Sequence, residues 1–176
     1  MPPRCRWLLP LLLLASCETA APTPVEPGPE DSTAADYRSS QVERAMQEAS
    51  EVLRTRGFAE MGTPRRGFLV EQAADVSEQA MRAGTCYVLL AAASTAMREL
   101  TIRVFDSDGG EVVQDTTTGP QAALRYCPVQ SGTHFATAEA SAGTGLFELR
   151  WFRGPTGLDI RIDDLFRTAP ATGEAR

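Results

Sequence analysis

The apolar positions of this chain first follow a helical period. Glu43 lies three residues after Ser40, which matches a capping box at a helix start. Gly57 suits a left-handed helix end, after which Phe58 can pack back on the last turn. We therefore predict an amphipathic helix over residues 37–58 that docks on a sheet; a partner-binding helix is the alternative. Six apolar residues recur at three- and four-residue steps and share one face: Val42, Ala45, Met46, Ala49, Val52 and Leu53.

From residue 66 onward the period changes to that of strands. The stretch 85–91 is apolar on both faces, which predicts a central strand. The stretch 75–82 fits a helix nearly as well as a strand, and we favour the strand. Short strands separated by turn residues predict a mainly β fold, an antiparallel β-sandwich preceded by the helix. The predicted strands are 67–71, 75–82, 85–91, 100–105, 111–115, 122–127, 133–139 and 145–153, with another alternating segment at 158–162.

The N-terminus has the layout of an export signal. An apolar run at residues 7–14 follows Arg4 and Arg6 and ends in small residues. The run has about half the length of a membrane-spanning helix, and Pro10 interrupts it. No later segment is long and apolar enough to span, so we predict no transmembrane helix after cleavage.

Residues 14–17 (LASC) resemble the lipobox of bacterial lipoproteins, whose cysteine is acylated and becomes the mature N-terminus. The resemblance implies a signal peptide at 1–16 and lipidation of Cys17, which attaches the protein to the lipid bilayer. Each buried methylene of an acyl chain contributes about 0.8 kcal/mol, so several chains anchor durably. Glu18, rather than aspartate, follows the cysteine and favours the outer membrane, on its periplasmic or surface side. A plain secretory signal cut elsewhere, for instance after Ala20 or Ala21, with Cys17 incidental, is the alternative.

The remaining chain divides by composition. Residues 18–35 are rich in Pro, Thr, Glu and Ala and have little to bury. We predict that residues 17–36 comprise the lipidated cysteine and a disordered tether. The β-sandwich domain is expected over 59–166 and a flexible tail over 167–176.

Two further cysteines, Cys86 and Cys127, follow the leader and the lipobox. In an oxidising compartment such a pair persists as a disulfide. Closing their loop would contribute roughly 3 to 4 kcal/mol on the chain-entropy account. We predict this disulfide; two free buried thiols are the alternative. The single histidine, His134, is not spaced to complete a metal site with them.

The charge of the chain restricts its partners. The net charge is −6, and all 17 basic residues are arginine. Cleavage before Cys17 removes Arg4 and Arg6 and no acidic residue, which brings the charge to about −8. An acidic surface repels nucleic acid and anionic headgroups, so we expect neither nucleic acid binding nor a polybasic membrane surface.

Asp106 and Asp108, followed by Gly109, look like half of a calcium loop. An EF-hand needs further acidic ligands, and none has the right spacing here. Asp and Gly are also the residues that a hairpin turn requires. The two aspartates are therefore weak calcium candidates, and the turn is the favoured interpretation.

No arrangement of residues predicts catalysis or a cofactor. Ser131 lies three residues before His134, an offset that does not build a triad. Any two acidic residues could form a glycosidase-like pair, but nothing selects one. Phe152 follows Trp151 on the opposite face of its strand, so we single it out as an aromatic that could be exposed for contact.

Five segments in order resemble the pre-peptidase C-terminal type of β-sandwich. The resemblance implies a small, secreted, jelly-roll-like binding or accessory module that is not catalytic, with Cys86 and Cys127 tying two strands together. The segments are 83–88 (AGTCYV), 100–110 (LTIRVFDSDGG), 124–128 (LRYCP), 131–135 (SGTHF) and 143–149 (GTGLFEL).

These features together predict a lipid-anchored cell-envelope protein with a non-catalytic sandwich. The sandwich is expected to bind an envelope protein or glycan, or to have a structural role. A divergent envelope hydrolase and a calcium-stabilised adhesion module are the alternatives.

Overall fold

Eight antiparallel strands form two four-stranded sheets in the computed structural model, which describes residues 29–158 and 160–166. The predicted signal peptide, Cys17 and the tail at 167–176 lie outside the described residues. No helix in the described part of the chain has a stretch long and apolar enough to span a bilayer. The strands are β1 (Ala59–Leu69), β2 (Ala74–Met81), β3 (Thr85–Ala93), β4 (Met97–Phe105), β5 (Glu111–Gln114), β6 (Gln121–Tyr126), β7 (Gly132–Gly143) and β8 (Gly145–Pro155).

The strand order is that of a jelly roll. The first sheet, sheet I, has the order β1-β8-β3-β6, and the second, sheet II, has the order β2-β7-β4-β5. Strands that follow each other in the chain mostly lie in opposite sheets, as in a double Greek key. This confirms the predicted mainly β, jelly-roll-like sandwich, including the predicted strand at β2.

The inner faces of the two sheets form the main core. In β8, Phe147, Leu149 and Trp151 point into this core, as the alternation of the sequence predicts. Leu89 of β3 and Ile102 of β4 meet them from the two sheets. The small residues of β7 allow the sheets to approach closely: Ala136, Ala138 and Ala140.

Strand β3 is buried on both faces, which confirms its predicted central position. It lies between β8 and β6 in sheet I. Leu89 and Ala91 enter the main core, whereas Val88 and Leu90 lie on the outer face of the sheet. A helix covers that outer face, so both sets of side chains are removed from water.

The covering helix, α1, spans Pro29–Thr55. It extends eight residues further toward the N-terminus than the helix predicted over 37–58, into the predicted tether. Proline fits the first turn of a helix, and acidic residues such as Glu30 and Asp31 favour a helix N-terminus. These signals explain the earlier start.

The end of α1 is the predicted Schellman motif. Gly57 has φ +85°, and its N–H donates to the Arg54 carbonyl over 3.0 Å. The Phe58 N–H donates to the Leu53 carbonyl, also over 3.0 Å, and both side chains are buried together. The motif ends the helix and directs the chain into β1.

Two sequence predictions differ from the structure at the borders of the domain. β1 begins at Ala59 rather than at residue 67, because its first half carries a register shift between Met61 and Arg65 that hides any alternation. In the segment at 158–162, the described residues 158 and 160–161 lie outside any strand, and a 3-10 turn follows at Ile162–Asp164.

The predicted disulfide between Cys86 and Cys127 is present and closes 41 residues. Cys86 is the second residue of β3 and precedes Tyr87, which pairs with Tyr126 of β6, so Cys127 lies directly across from Cys86. The bridge therefore fastens two neighbouring strands of sheet I at their ends. Cys86 itself is fully buried.

Replacing both cysteines by alanine is expected to lower the free energy of unfolding by roughly 3 to 4 kcal/mol, because the unfolded chain regains the entropy of an open loop. Urea unfolding of the double variant and of the oxidised parent measures the difference. The parent treated with reductant is the control and should match the variant. Equal unfolding midpoints for the oxidised and reduced parent would contradict this expectation.

Candidate functional site: the face beneath the helix

The outer face of sheet I and α1 enclose a second apolar cluster. Leu53 and Met46 of the helix are fully buried against Phe152 of β8. This corrects the sequence-based interpretation of Phe152 as an exposed contact residue: it is fully buried because the helix covers its face of β8. The cluster comprises Val42, Met46, Ala49, Leu53, Phe58, Val88, Leu90, Ala92, Ala123, Phe152 and Leu165.

A charged pair lies beneath the helix beside this cluster. Glu148 and Arg150 alternate with the core residues of β8 and are 1% and 8% exposed. Glu148 Oε1 accepts a hydrogen bond from Arg150 Nε over 2.6 Å. Its other oxygen, Oε2, accepts from Arg66 Nε of β1 over 2.9 Å. Each oxygen of the buried carboxylate thus has a cationic partner, which a buried charge requires.

The same pair binds the helix to the sheet. Arg150 Nη1 donates to Ser50 Oγ of α1 over 3.2 Å, and this hydroxyl donates to the Met46 carbonyl. Glu60 of β1 lies 3.7 Å from Arg150 and 2.6 Å from Arg54 of α1. The ion pairs and hydrogen bonds therefore connect β8 to β1 and to the helix. They fix the position of the helix along its own axis through Ser50 and Arg54.

A groove of about 650 Å³ runs along the other side of α1. Val52 and Phe166 contribute apolar surface to it, and Arg44 and Glu48 contribute charges of both signs. Its size lies in the range of ligand sites, about 300 to 1,000 Å³. The arrangement suits contact with an extended, partly polar chain, and nothing in it resembles a nucleophile with its base.

The predicted candidates for metal binding form a turn. Asp106 Oδ1 accepts hydrogen bonds from the backbone N–H of Asp108 over 3.0 Å and of Gly110 over 2.8 Å. Gly109, between them, has φ +82°. These bonds are those of an Asx-type hairpin turn. Among the described residues, no three His, Cys, Asp or Glu side chains lie together as metal ligands.

Ser131 and His134 each bond to a different part of the backbone. Ser131 Oγ accepts from the Ala83 N–H over 2.9 Å. His134 Nδ1 lies 3.2 Å from the Gly132 carbonyl, and the ring lies 5.5 Å from that of Tyr126. His134 is 6% exposed. It is therefore a buried residue near the end of the sandwich, on a strand that hydrogen-bonds to β2 and β4.

Asp115 is a buried carboxyl that the sequence did not single out. Burial raises the pKa of Asp115 above its ordinary value, and hydrogen bonds from Thr117 and neighbouring backbone amides lower it only in part. The Thr117 hydroxyl donates to Asp115 Oδ2 over 2.7 Å. These bonds organise the connection from β5 to β6.

Two comparisons with known proteins found no match: no family model and no curated protein is similar to the chain. Among solved structures, the chain is similar to the pre-peptidase C-terminal domain of the collagenase from Bacillus anthracis. The identity is 12%, the similarity covers 52% of this chain and 89% of that domain, and the TM-score is 0.44. A similarity of this size carries no conclusion about activity or family, so the fold assignment rests on the strand order. That order defines a helix-covered jelly-roll β-sandwich.

The buried pair is expected to be costly to break. Replacing Glu148 by alanine leaves Arg150 buried without its nearest carboxylate, so the free energy of unfolding should fall by about 3 kcal/mol or more. The control is Glu43→Ala, which removes a pair with Arg66 at 3.5 Å where both side chains are more than half exposed. The control should cost less than about 1 kcal/mol. Denaturant unfolding that gives equal small losses for both variants would contradict this interpretation.

The raised pKa of Asp115 gives a pH dependence of known sign. The folded state binds a proton more tightly than the unfolded state, so this group lowers the free energy of unfolding as pH rises from about 4, its unfolded pKa, through its folded pKa. In Asp115→Asn this contribution is absent. The stability of the parent relative to the variant should therefore decrease with pH across this window and then level off, as measured by urea unfolding at several pH values. A difference that is constant or that grows with pH would refute the assignment.

Proposed function

We propose that this protein is a lipid-anchored component of the bacterial cell envelope whose jelly-roll sandwich is a non-catalytic module. The observation that carries the proposal is the sequence at residues 14–17, which places Cys17 directly after an apolar run and two small residues. The acylated cysteine attaches the domain to the bilayer, and Glu18 after it favours the outer membrane.

The disulfide supports export to an oxidising compartment. Cys86 and Cys127 bond to each other, which is typical of proteins outside the cytosol. With Cys5 in the cleaved leader, Cys17 is the cysteine that is left for acylation. The disulfide and the export signal thus both support a location outside the cytosol.

The described side chains support a binding or structural role rather than hydrolysis. Ser131 and His134 bond to separate backbone groups, and the charged pair of Glu148 and Arg150 is sealed beneath the helix. A protein or glycan partner from the envelope would meet the groove beside α1, which offers apolar and charged side chains on a concave surface.

Acylation at Cys17 is tested by labelling cells with a fatty acid that carries an alkyne group. The parent should incorporate the label and partition into the detergent phase, and Cys17→Ala should lose the label. Ser16→Ala keeps a small residue before the cysteine and is the matched control, which should be labelled like the parent. An unlabelled parent, or equal labelling of Cys17→Ala, would rule out the anchor.

A further inference from the structure

A cleft opens between the two sheets at the end of the sandwich where β2 ends and β3 begins. Its volume is about 540 Å³, which lies within the range of ligand sites. The ends of β1, β8 and β3 form its wall in sheet I. The last residues of β2 and the turn that leads into β3 form the opposite wall.

Arg153 of β8 lies on the sheet I side of this cleft. It continues the alternation of Leu149 and Trp151, so its side chain leaves the strand on the side of the main core. Its neighbours across the strands are Ala59 of β1 and Tyr87 of β3. Ala59 is the first residue of β1, so this row lies at the end of the sandwich and Arg153 is exposed.

Arg82 reaches the cleft from the other wall. It begins the turn from β2 to β3, in which the Thr85 N–H donates to the Arg82 carbonyl over 3.3 Å and Gly84 has φ +78°. The Arg82 N–H donates to the hydroxyl of the buried Tyr87 over 2.9 Å. These bonds hold the backbone of Arg82 in one place, while its side chain is exposed.

The cleft is positively charged although the chain has a net charge of −6. Among the described residues, no Asp or Glu lines it, and neither of its two guanidinium groups has a carboxylate partner. The groove beside α1, in contrast, combines Arg44 with Glu48 and Glu51. Other described arginines form ion pairs with carboxylates: Arg54, Arg65, Arg66, Arg98, Arg103 and Arg150.

The carboxylates that are close to the cleft in sequence face away from it. Glu60 of β1 pairs with Arg54 and Arg150 beneath the helix, on the outer face of sheet I. Glu78 of β2 follows the buried Ser77, so it lies on the outer face of sheet II. The positive charge of the cleft is therefore available to a ligand.

We propose that this cleft binds an acidic glycan through a carboxylate or phosphate group held between Arg82 and Arg153. A planar guanidinium group forms paired hydrogen bonds with either anion. The lining also offers the amide of Gln79 and the hydroxyl groups of Thr85 and Tyr87, which suit the hydroxyl groups of a sugar. The Tyr87 hydroxyl accepts its bond from the backbone and keeps its own proton to donate.

The test is isothermal titration calorimetry of the full-length protein in detergent. The probes are trigalacturonate, which carries carboxylates, glucose 1-phosphate, which carries a phosphate, and the neutral galactotriose. We expect at least one acidic probe to bind, at least about tenfold more tightly than galactotriose, because hydrogen bonds to charged groups are the stronger ones. Its binding should weaken as salt is raised.

Substitutions in the cleft identify the site. Arg82→Gln and Arg153→Gln should each weaken the binding of the acidic probe by about tenfold or more. Neither should shift the unfolding midpoint, since neither guanidinium has a carboxylate partner in the fold. Arg153→Lys keeps the charge without the planar group and should have intermediate affinity. The matched control, Arg44→Gln in the groove beside α1, should bind like the parent.

Three results would overturn the proposal. The first is that neither acidic probe binds, or that galactotriose binds equally well. The second is that Arg44→Gln loses binding while both cleft variants keep it, which would assign the glycan to the groove beside α1. The third is that hexaglutamate binds as tightly as the acidic sugars, because the cleft would then recognise charge alone. Cys17→Ala should bind like the parent, so the result is independent of the proposed anchor.

Discussion

The contact between α1 and the outer face of sheet I is the interaction on which the rest of the structure depends. Without it, the apolar outer side chains of β3 and β8 would face water, and the charged pair of Glu148 and Arg150 would have no contact with the helix. A buried ion pair gives little net stability, because desolvation offsets its attraction. Its geometry nevertheless requires one helix position, since Ser50 must meet Arg150 and Arg54 must meet Glu60.

Two sets of contacts fix the position and the direction of the helix. The Schellman motif at Gly57 fixes the C-terminal end of the helix beside β1, and the apolar cluster fixes its direction along β8. The N-terminal end must therefore point toward the end of the sandwich where β1 ends and β8 begins.

Features that depend on local sequence were predicted well. The helix end at Gly57 and the burial of β3 on both faces follow from short-range patterns, and the disulfide between Cys86 and Cys127 follows from the cysteine count of an exported chain. The alternation of apolar and polar residues in β8 also places Glu148 and Arg150 on the face opposite the main core.

The burial of the side chains beneath α1 was not predicted. Glu148, Arg150 and Phe152 share the outer face of β8, and whether that face meets water is decided by the helix, some 100 residues earlier in the chain. The first half of β1 was missed because its register shift breaks the alternation of side chains. Because β3 is apolar on both faces, its sequence indicates that another element packs on the outer face of sheet I.

Hydrogen exchange of the folded protein tests the central claim most directly, because it reports on the helix that covers sheet I and on the strands beneath it. The amides of α1 from Ser39 to Thr55 should be protected together with those of β3, because the helix packs on the outer face of this strand. Unprotected amides in α1 beside protected amides in β3 would contradict the account.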